Sequence, residues 1–363
     1  MADFNKIVRL SKENRILLQE CMHRIRSKED IQKYFGLCKA HELNALLLLS
    51  IECPVDLCFF LNTPIHQLEE IINNPVYHHY TINKKRGGKR HIFAPDKQLK
   101  MIQKRLNYYL QAYYLWIKPS EVHGFVINPH YLGAHCNIVA NARVHTGKKH
   151  IVNIDLKDFF PSISAKQIFE LFSSPYFNYD KQLATALTLL TTYQAQLPAG
   201  APTSPVLSNF VSLHLDADLR AFCSQNELLF TRYADDLTFS SDHIILQRKI
   251  SDIIQLISKN GFEINPQKLH ALSSFRKQTV TGLTVNEKVN VDRRLLKKIR
   301  AMCHDLSTNG LEAATRHHFQ LRGSVTPKKL ALFQRRLEGY LNFVGQVRGK
   351  DDPLCAFKKN FGK

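Results

Sequence analysis

Leu229-Phe230-Thr231-Arg232-Tyr233-Ala234-Asp235-Asp236-Leu237-Thr238-Phe239-Ser240 consists of two short β-prone runs that meet at an acidic pair. The pattern predicts a hairpin with Asp235 and Asp236 at its tip. A second run, Ile151-Val152-Asn153-Ile154-Asp155-Leu156, is apolar and β-branched and reads as a buried strand ending in a carboxylate. A strand end of this kind presents an acid to a cleft. One aspartate alone is an ordinary turn residue, because its side chain caps local backbone amides. Two adjacent carboxylates at one tip are different, since they repel each other unless a cation or strong hydrogen bonds compensate.

A divalent metal is the simplest compensation. Mg²⁺ accepts hard oxygen ligands from a few carboxylates and takes the rest from water and phosphate. Nucleotidyl transfer uses two such ions roughly 4 Å apart, one at the primer hydroxyl and one at the triphosphate, bridged by acidic side chains. Asp155, Asp235 and Asp236 suffice for that role.

The rest of the composition agrees with a polyanionic partner. Fifty lysines and arginines face 31 acidic residues, a formal charge of +19 with a pI near 9.6, and such an excess repels itself unless a polyanion offsets it. A chain of 363 residues has room for two or three packed subdomains. The longest apolar run, around Leu43 to Ile51, is too short to span a bilayer. The start, Met1 to Leu10, lacks the apolar stretch of a signal peptide. The expectation is a cytoplasmic protein with no membrane partner. Eight cysteines (Cys21, Cys38, Cys53, Cys58, Cys136, Cys223, Cys303, Cys355) show no C-x-x-C spacing and read as reduced thiols. Among 17 histidines, His78-His79 and His317-His318 are adjacent pairs. Regular structure sends neighbours in different directions, which argues against a shared metal.

Along the chain, residues 1 to about 75 have helical periodicity, with Pro54 and Pro64 as breaks. A basic stretch follows, Asn83 to Pro95, whose Gly87-Gly88 between cationic flanks predicts a hairpin turn. A helix carrying Lys100, Lys104 and Arg105 comes next. Residues 150 to 285 alternate strand-like and helical runs. The last 75 return to helix with Arg293, Arg294, Lys297, Lys298 and Arg300. Neither internal repeats nor low-complexity segments are visible.

Three blocks in this order, Asn153 to Ile163 (NIDLKDFFPSI), Leu197 to Asn209 (LPAGAPTSPVLSN) and Tyr233-Ala234-Asp235-Asp236, resemble the successive palm motifs of reverse transcriptases. The resemblance covers roughly residues 80 to 285. It implies a nucleotidyltransferase with two Mg²⁺ ions, Asp155 and Asp235 as the main ligands, Asp236 in support and the Leu156 carbonyl near the second ion. Phe160 takes the position of the steric gate, where an aromatic ring crowds the 2′-hydroxyl of a ribonucleotide. Gly200 and Ala201 let the backbone approach template and nucleotide. The family usually has glutamine before that glycine, and here the position is Ala199. Lys84, Lys85 and Arg90 resemble the fingers cations that bind the triphosphate of a dNTP. Lys268, in Gly261 to Lys268, resembles the lysine that can protonate the departing pyrophosphate.

Two further strings, Asn141-Ala142-Arg143-Val144-His145 before the first palm motif and Val280-Thr281-Gly282 after the last, resemble the N-A-x-x-H and V-T-G signatures of bacterial retron enzymes. That branch implies a partner noncoding RNA serving as template and primer, a branched RNA-DNA product begun at a guanosine 2′-hydroxyl, and phage defence beside an effector protein. Asn141, His145, Val280, Thr281 and Gly282 are then the candidates for RNA recognition. The implied fold is α+β, a right-hand polymerase with fingers, a palm built on an antiparallel sheet, a helical thumb and an N-terminal helical extension. The expected boundaries are 1–75 for the extension, 76–150 for the fingers, 151–285 for the palm with part of the fingers inserted, and 286–363 for the thumb and RNA-binding C-terminal region. Three rivals are weaker. Group II intron enzymes normally continue into maturase regions, viral-type RNA polymerases usually carry Gly-Asp-Asp at the turn, and a noncatalytic RNA-binding scaffold has no reason to keep a repulsive acidic cluster.

Overall fold

A computed structural model describes residues 4–25, 27–36, 40–84, 87–127 and 136–362. The described residues up to 73 form six short helices, Phe4–Glu13, Arg15–Met22, Lys28–Tyr34, Ala40–Leu49, Pro54–Leu61 and Ile65–Asn73. The two prolines open helices as well as interrupting the chain. Pro54 is the first residue of its helix and Pro64 caps the next, positions where the missing amide hydrogen costs no helical bond. Ala40–Leu49 packs against a helix spanning Lys97–Ile117. That longer helix begins where the Asp96 carboxylate accepts the amides of Gln98 and Leu99. It buries Leu99, Ile102, Leu106, Leu110, Tyr113 and Ile117, the three- and four-residue spacing of one helical face.

Eight strands are present among the described residues. β1 (Tyr77–Asn83) and β2 (Lys89–Pro95) form an antiparallel hairpin running from Tyr77 opposite Pro95 to Asn83 opposite Lys89. Its turn uses Gly87 and Gly88 at φ 92° and 83°, a region where side chains are strained. A four-stranded sheet follows, built from β3 (His150–Asp155), β4 (Leu229–Tyr233), β5 (Asp236–Ser241) and β6 (His270–Ser273), in the order β4-β5-β3-β6. β3 pairs antiparallel with β6, from His150 opposite Ser273 to Asn153 opposite His270. β7 (Thr279–Val280) and β8 (Leu283–Thr284) make a second small hairpin. Helices and antiparallel strands together define an α+β fold.

Contacts divide the chain into two compact units, each discontinuous in sequence. The first is Met1–Cys136, Ile154–Leu237 and Leu246–Leu269, and the second is Asn137–Asn153, Thr238–Ile245 and His270–Lys363. The second has its own core, in which Ile151, Val280, Leu283, Val285 and Val291 meet Ile299, Met302, Phe333, Leu337 and Leu341. Its two long helices are Arg293–His318, interrupted at Gly310 (φ 78°, ψ 174°), and Pro327–Arg348. No described helix is long and apolar enough to cross a membrane. Every described cysteine is a free thiol.

The first unit contains a fully buried ion pair. Arg232 donates from Nε to Asp216 Oδ1 at 2.7 Å and from Nη2 to Oδ2 at 2.6 Å, and its Nη1 reaches Asn209 Oδ1 at 2.9 Å. Both charged side chains have zero exposure. Removing one partner of such a pair strands the other charge, at a cost of about 3–5 kcal/mol. Urea denaturation should therefore find Arg232→Met destabilised by about that amount. Arg232→Met combined with Asp216→Leu should recover much of the loss.

Candidate active site

The acidic tip is built by a turn that the chain forces into the left-handed region. Between β4 and β5, Ala234 has φ 60°, and its carbonyl lies 3.4 Å from Arg232 Nη1. Behind the turn runs residues 121–124. Arg232 N donates to the Glu121 carbonyl and His123 N to the Arg232 carbonyl, both at 2.9 Å. Gly124 comes so close that a β-carbon there would lie 2.3 Å from Ala234 N and 2.9 Å from the Tyr233 carbonyl carbon. Asn209 Nδ2 fixes this approach by donating to the Gly124 carbonyl at 3.0 Å.

β3 delivers the third carboxylate to the same place. Leu156 N donates to the Asp235 carbonyl at 2.9 Å, and Asn265 N donates to the Asp155 carbonyl at 2.8 Å. Asp155 is nearly buried at 8 % exposure. Its two carboxylate oxygens accept from Lys268 Nζ at 2.7 and 2.8 Å. Lys268 stands on a short 3₁₀ turn, Pro266–Lys268, and remains partly exposed.

The three acids form an electrostatically strained group. Burial raises the Asp235 carboxyl above the ordinary carboxylate range, as does the charge of Asp155, against the opposing pull of its backbone hydrogen bond, Lys268 and Arg90. Desolvation, then the charges of Asp235 and Asp155, push Asp236 up to about 7. Asp236 keeps solvent-exposed surface, and solvent there weakens both the desolvation and the like-charge repulsion. Three carboxylates gathered at one point are oxygen donors that fit a hard divalent cation.

A cleft of about 1140 Å³ opens over these residues. Asp155, Leu156, Asp235 and Lys268 line it together with Lys84, Arg90, Phe160, Ala199 and Gly200. Phe160 is half-buried, stacked on Phe125 at 5.6 Å and tilted against Phe159 at 5.8 Å. The loop bearing Ala199 and Gly200 is tied to the basic hairpin, since Phe93 N donates to the Ala199 carbonyl at 2.8 Å. A β-carbon on Gly200 would meet the Phe93 carbonyl at 2.8 Å. Lys85, the other cation expected here, lies outside the described residues.

The candidate RNA-recognition residues come together in the second unit. Asn141 and His145 belong to the helix Ile138–Val144 and its C-cap, which packs on β7 and β8. Thr281 Oγ1 donates to the Ile138 carbonyl at 3.3 Å. Thr281 and Gly282, at φ 46° and 81°, form the two-residue hairpin loop with positive φ at both positions that a type I′ turn requires. Asn141, His145 and Val280 have 1 %, 0 % and 1 % exposure. His145 Nδ1 and Ser240 Oγ are 2.7 Å apart, and the helix cap is Asn137, not Asn141. The exposed residues of this string are Arg143 and Val144, and Arg143 is the charged one.

Gly124, Asp216 and Arg232 escaped the sequence reading. A charged residue inside the β-prone run was the available signal for Arg232, whereas Asp216 stands in a helix with other charged residues and was not marked out. Nothing marked Gly124 apart from other loop glycines.

This geometry gathers carboxylates and a lysine beside a basic cleft, and comparison with known proteins places the chain in a class. The chain belongs to the reverse transcriptase (RNA-dependent DNA polymerase) family, whose profile matches residues 82–291, and within it to the bacterial retron type. It is similar to the Retron Ec86 reverse transcriptase of Escherichia coli, 34 % identical over 236 residues that cover 63 % of this chain and 70 % of that one. The Retron Mx65 reverse transcriptase of Myxococcus xanthus is 32 % identical over 273 residues, 70 % of this chain and 61 % of that one. The Retron Ec73 reverse transcriptase of Escherichia coli is 33 % identical over 242 residues, 61 % and 73 % of the two. This chain is accordingly an RNA-directed DNA polymerase.

Two outcomes follow from the site. Gly124→Ala should displace the acidic tip and lower primer extension by about 100-fold, the scale expected of an ångström-sized misplacement, with circular dichroism unchanged. Asp236 has a folded-state value above its unfolded one, so the group favours folding below the unfolded value and that contribution is lost as pH rises to about 7. In metal-free buffer Asp236→Asn should therefore melt about 1–3 °C above the parent at pH 8. The difference should vanish near pH 4, and added Mg²⁺ at pH 8 should narrow it by stabilising the parent.

Proposed function

We propose that this protein is the polymerase of a retron, which copies a partner noncoding RNA into multicopy single-stranded DNA by two-metal nucleotidyl transfer. The observation that carries the reading is the convergence of Asp155, Asp235 and Asp236, the first two lining a cleft that Lys84 and Arg90 also line. Mg²⁺, when bound, supplies charge neutralisation at the triphosphate and activation of the primer hydroxyl. Asp155, Asp235, Asp236 and the Leu156 carbonyl are the groups to hold it. Lys84 and Arg90 suit the triphosphate of the dNTP, one as a point charge and the other as a bidentate fork. Phe160, held by Phe125 and Phe159, is a rigid wall for the sugar. Lys268 is the group to donate a proton to the departing pyrophosphate, on exchanging Asp155 for a phosphate oxygen. The finer anatomy follows the same reading, with fingers, palm and helical thumb arranged as a right hand behind an N-terminal extension.

The RNA partner is supported by the second unit. A cavity of about 1410 Å³ there is lined by Arg276, Lys277, Arg293, Arg294, Lys297 and Arg300. Beside them Phe275 is 98 % exposed, an aromatic face for an unpaired base. Asn141 and His145 act from inside by setting the Ile138–Val144 helix against the Thr281-Gly282 turn, and Arg143 is the residue that meets the RNA. The retron branch further implies cytoplasmic action in phage defence beside an effector protein.

Asp235→Asn with Asp236→Asn should abolish DNA synthesis while RNA binding in a gel-shift assay stays within about twofold, because the phosphate contacts lie on other residues. Phe160→Val should raise ribonucleotide incorporation relative to deoxyribonucleotide in primer extension. Sequencing the RNA that copurifies with the wild type, and testing its DNA for a 2′-linked branch, decides the retron assignment. A wild-type enzyme that extends annealed primers but never forms a branched product would overturn that assignment and leave the polymerase itself in place.

A further inference from the structure

The break at Gly310 has a chemical result in the second unit. In an unbroken helix Asp305 and His317, twelve residues apart, would be separated by roughly 18 Å along the axis. Here His317 Nδ1 lies 2.8 Å and His318 Nε2 3.2 Å from the same oxygen, Asp305 Oδ2. One atom from each of the three residues falls within a 4.8 Å circle. The adjacency of the two histidines, which argued against a common ligand, is overcome because one reaches inward with its near nitrogen and its neighbour with its far one.

The surroundings fix all three groups. Asn309 Nδ2 donates to Asp305 Oδ1 at 2.6 Å, which leaves Oδ2 turned to the imidazoles. The His318 ring is tilted against Phe333 at 5.9 Å, and Phe333 is completely buried. His318 Nε2 is itself buried and has no hydrogen-bond partner, despite its short distance to Asp305. A buried imidazole nitrogen that faces a carboxylate without hydrogen-bonding it is available as a metal ligand. Buried polar atoms left unpaired are costly, and a cation at this point satisfies Nε2 and both neighbours together.

We propose that Asp305, His317 and His318 form a binding site for one divalent transition metal ion, which clamps the two halves of the helix broken at Gly310. Two imidazoles and one carboxylate are the donor set of Zn²⁺ rather than Mg²⁺. A tetrahedral ion with bonds of about 2.0–2.1 Å needs ligand atoms roughly 3.3 Å apart, close to the two spacings from Asp305 Oδ2, while the imidazole nitrogens, within 4.8 Å of each other, would close on the ion. The fourth position is open to water.

The test uses untagged full-length protein carrying Asp235→Asn and Asp236→Asn, in buffer with excess Mg²⁺, so that the catalytic acids contribute little. Zn²⁺ titrated against a chromophoric chelator should bind one to one, and Co²⁺ should give the intense visible bands of a tetrahedral site. His317→Ala should weaken Zn²⁺ at least about tenfold, since disturbing even the groups around a metal ligand costs that much. The His317 side chain is 76 % exposed, so this variant keeps its circular dichroism and, in the wild-type catalytic background, its primer extension. Zn²⁺ should raise the melting temperature of the parent and leave that of His317→Ala unmoved. Asp305→Asn should match His317→Ala. Zn²⁺ affinity equal in parent and both variants, or a parent that retains no Zn²⁺ against the chelator, would overturn the site and leave an ordinary histidine–carboxylate contact.

Discussion

The buried pair of Arg232 and Asp216 is the interaction on which the catalytic geometry rests. It joins the helix Leu213–Gln225 to β4 two residues before the acidic turn, and the same guanidinium reaches Asn209 and the Ala234 carbonyl. Two charges out of water are a poor source of net stability against well-packed apolar residues. Their value is directional, because a bidentate fork tolerates little rotation. Asn209 extends the constraint to Gly124, so the back of the tip is enclosed by groups that each fix the next.

That rigidity opposes the chemistry it supports. Three carboxylates brought to one point destabilise the polypeptide that carries them, and the raised values of Asp235 and Asp236 are the measure of it. A looser turn would let the acids separate and relax. The close approach of Gly124 and the bond from Leu156 N to the Asp235 carbonyl deny them that relaxation. A preorganised site of this sort leaves less reorganisation for the moment of reaction.

The acids were legible because their surroundings have a local period. A β-branched run ending in Asp155, and alternation on either side of Asp235-Asp236, place carboxylates at strand ends before any fold is known. The basic hairpin was legible for the same reason. Asn141 and His145 show where such reading stops. An amide and an imidazole look equally suited to an RNA edge or to the interior, and the deciding partner of His145 is Ser240, 95 residues away. The histidines at 317 and 318 were opaque for a different reason. Their meeting with Asp305 depends on one glycine reversing direction inside a run that otherwise reads as continuous helix.

The attachment of Phe93 to Ala199 makes the basic hairpin a lever. Six of the seven residues of β1 are exposed, so little except pairing with β2 stiffens the arm beyond that attachment. From Phe93 to Lys89 is about 13 Å at the rise of an extended strand, and a rotation of about 5° at the fulcrum carries the far end about 1 Å. Arg90 sits near the end of the arm and Gly200 at its pivot. The compliance of the cationic wall is thus governed at a backbone contact in the cleft floor, and a side chain added at residue 200 would change the reach of a charge several residues away.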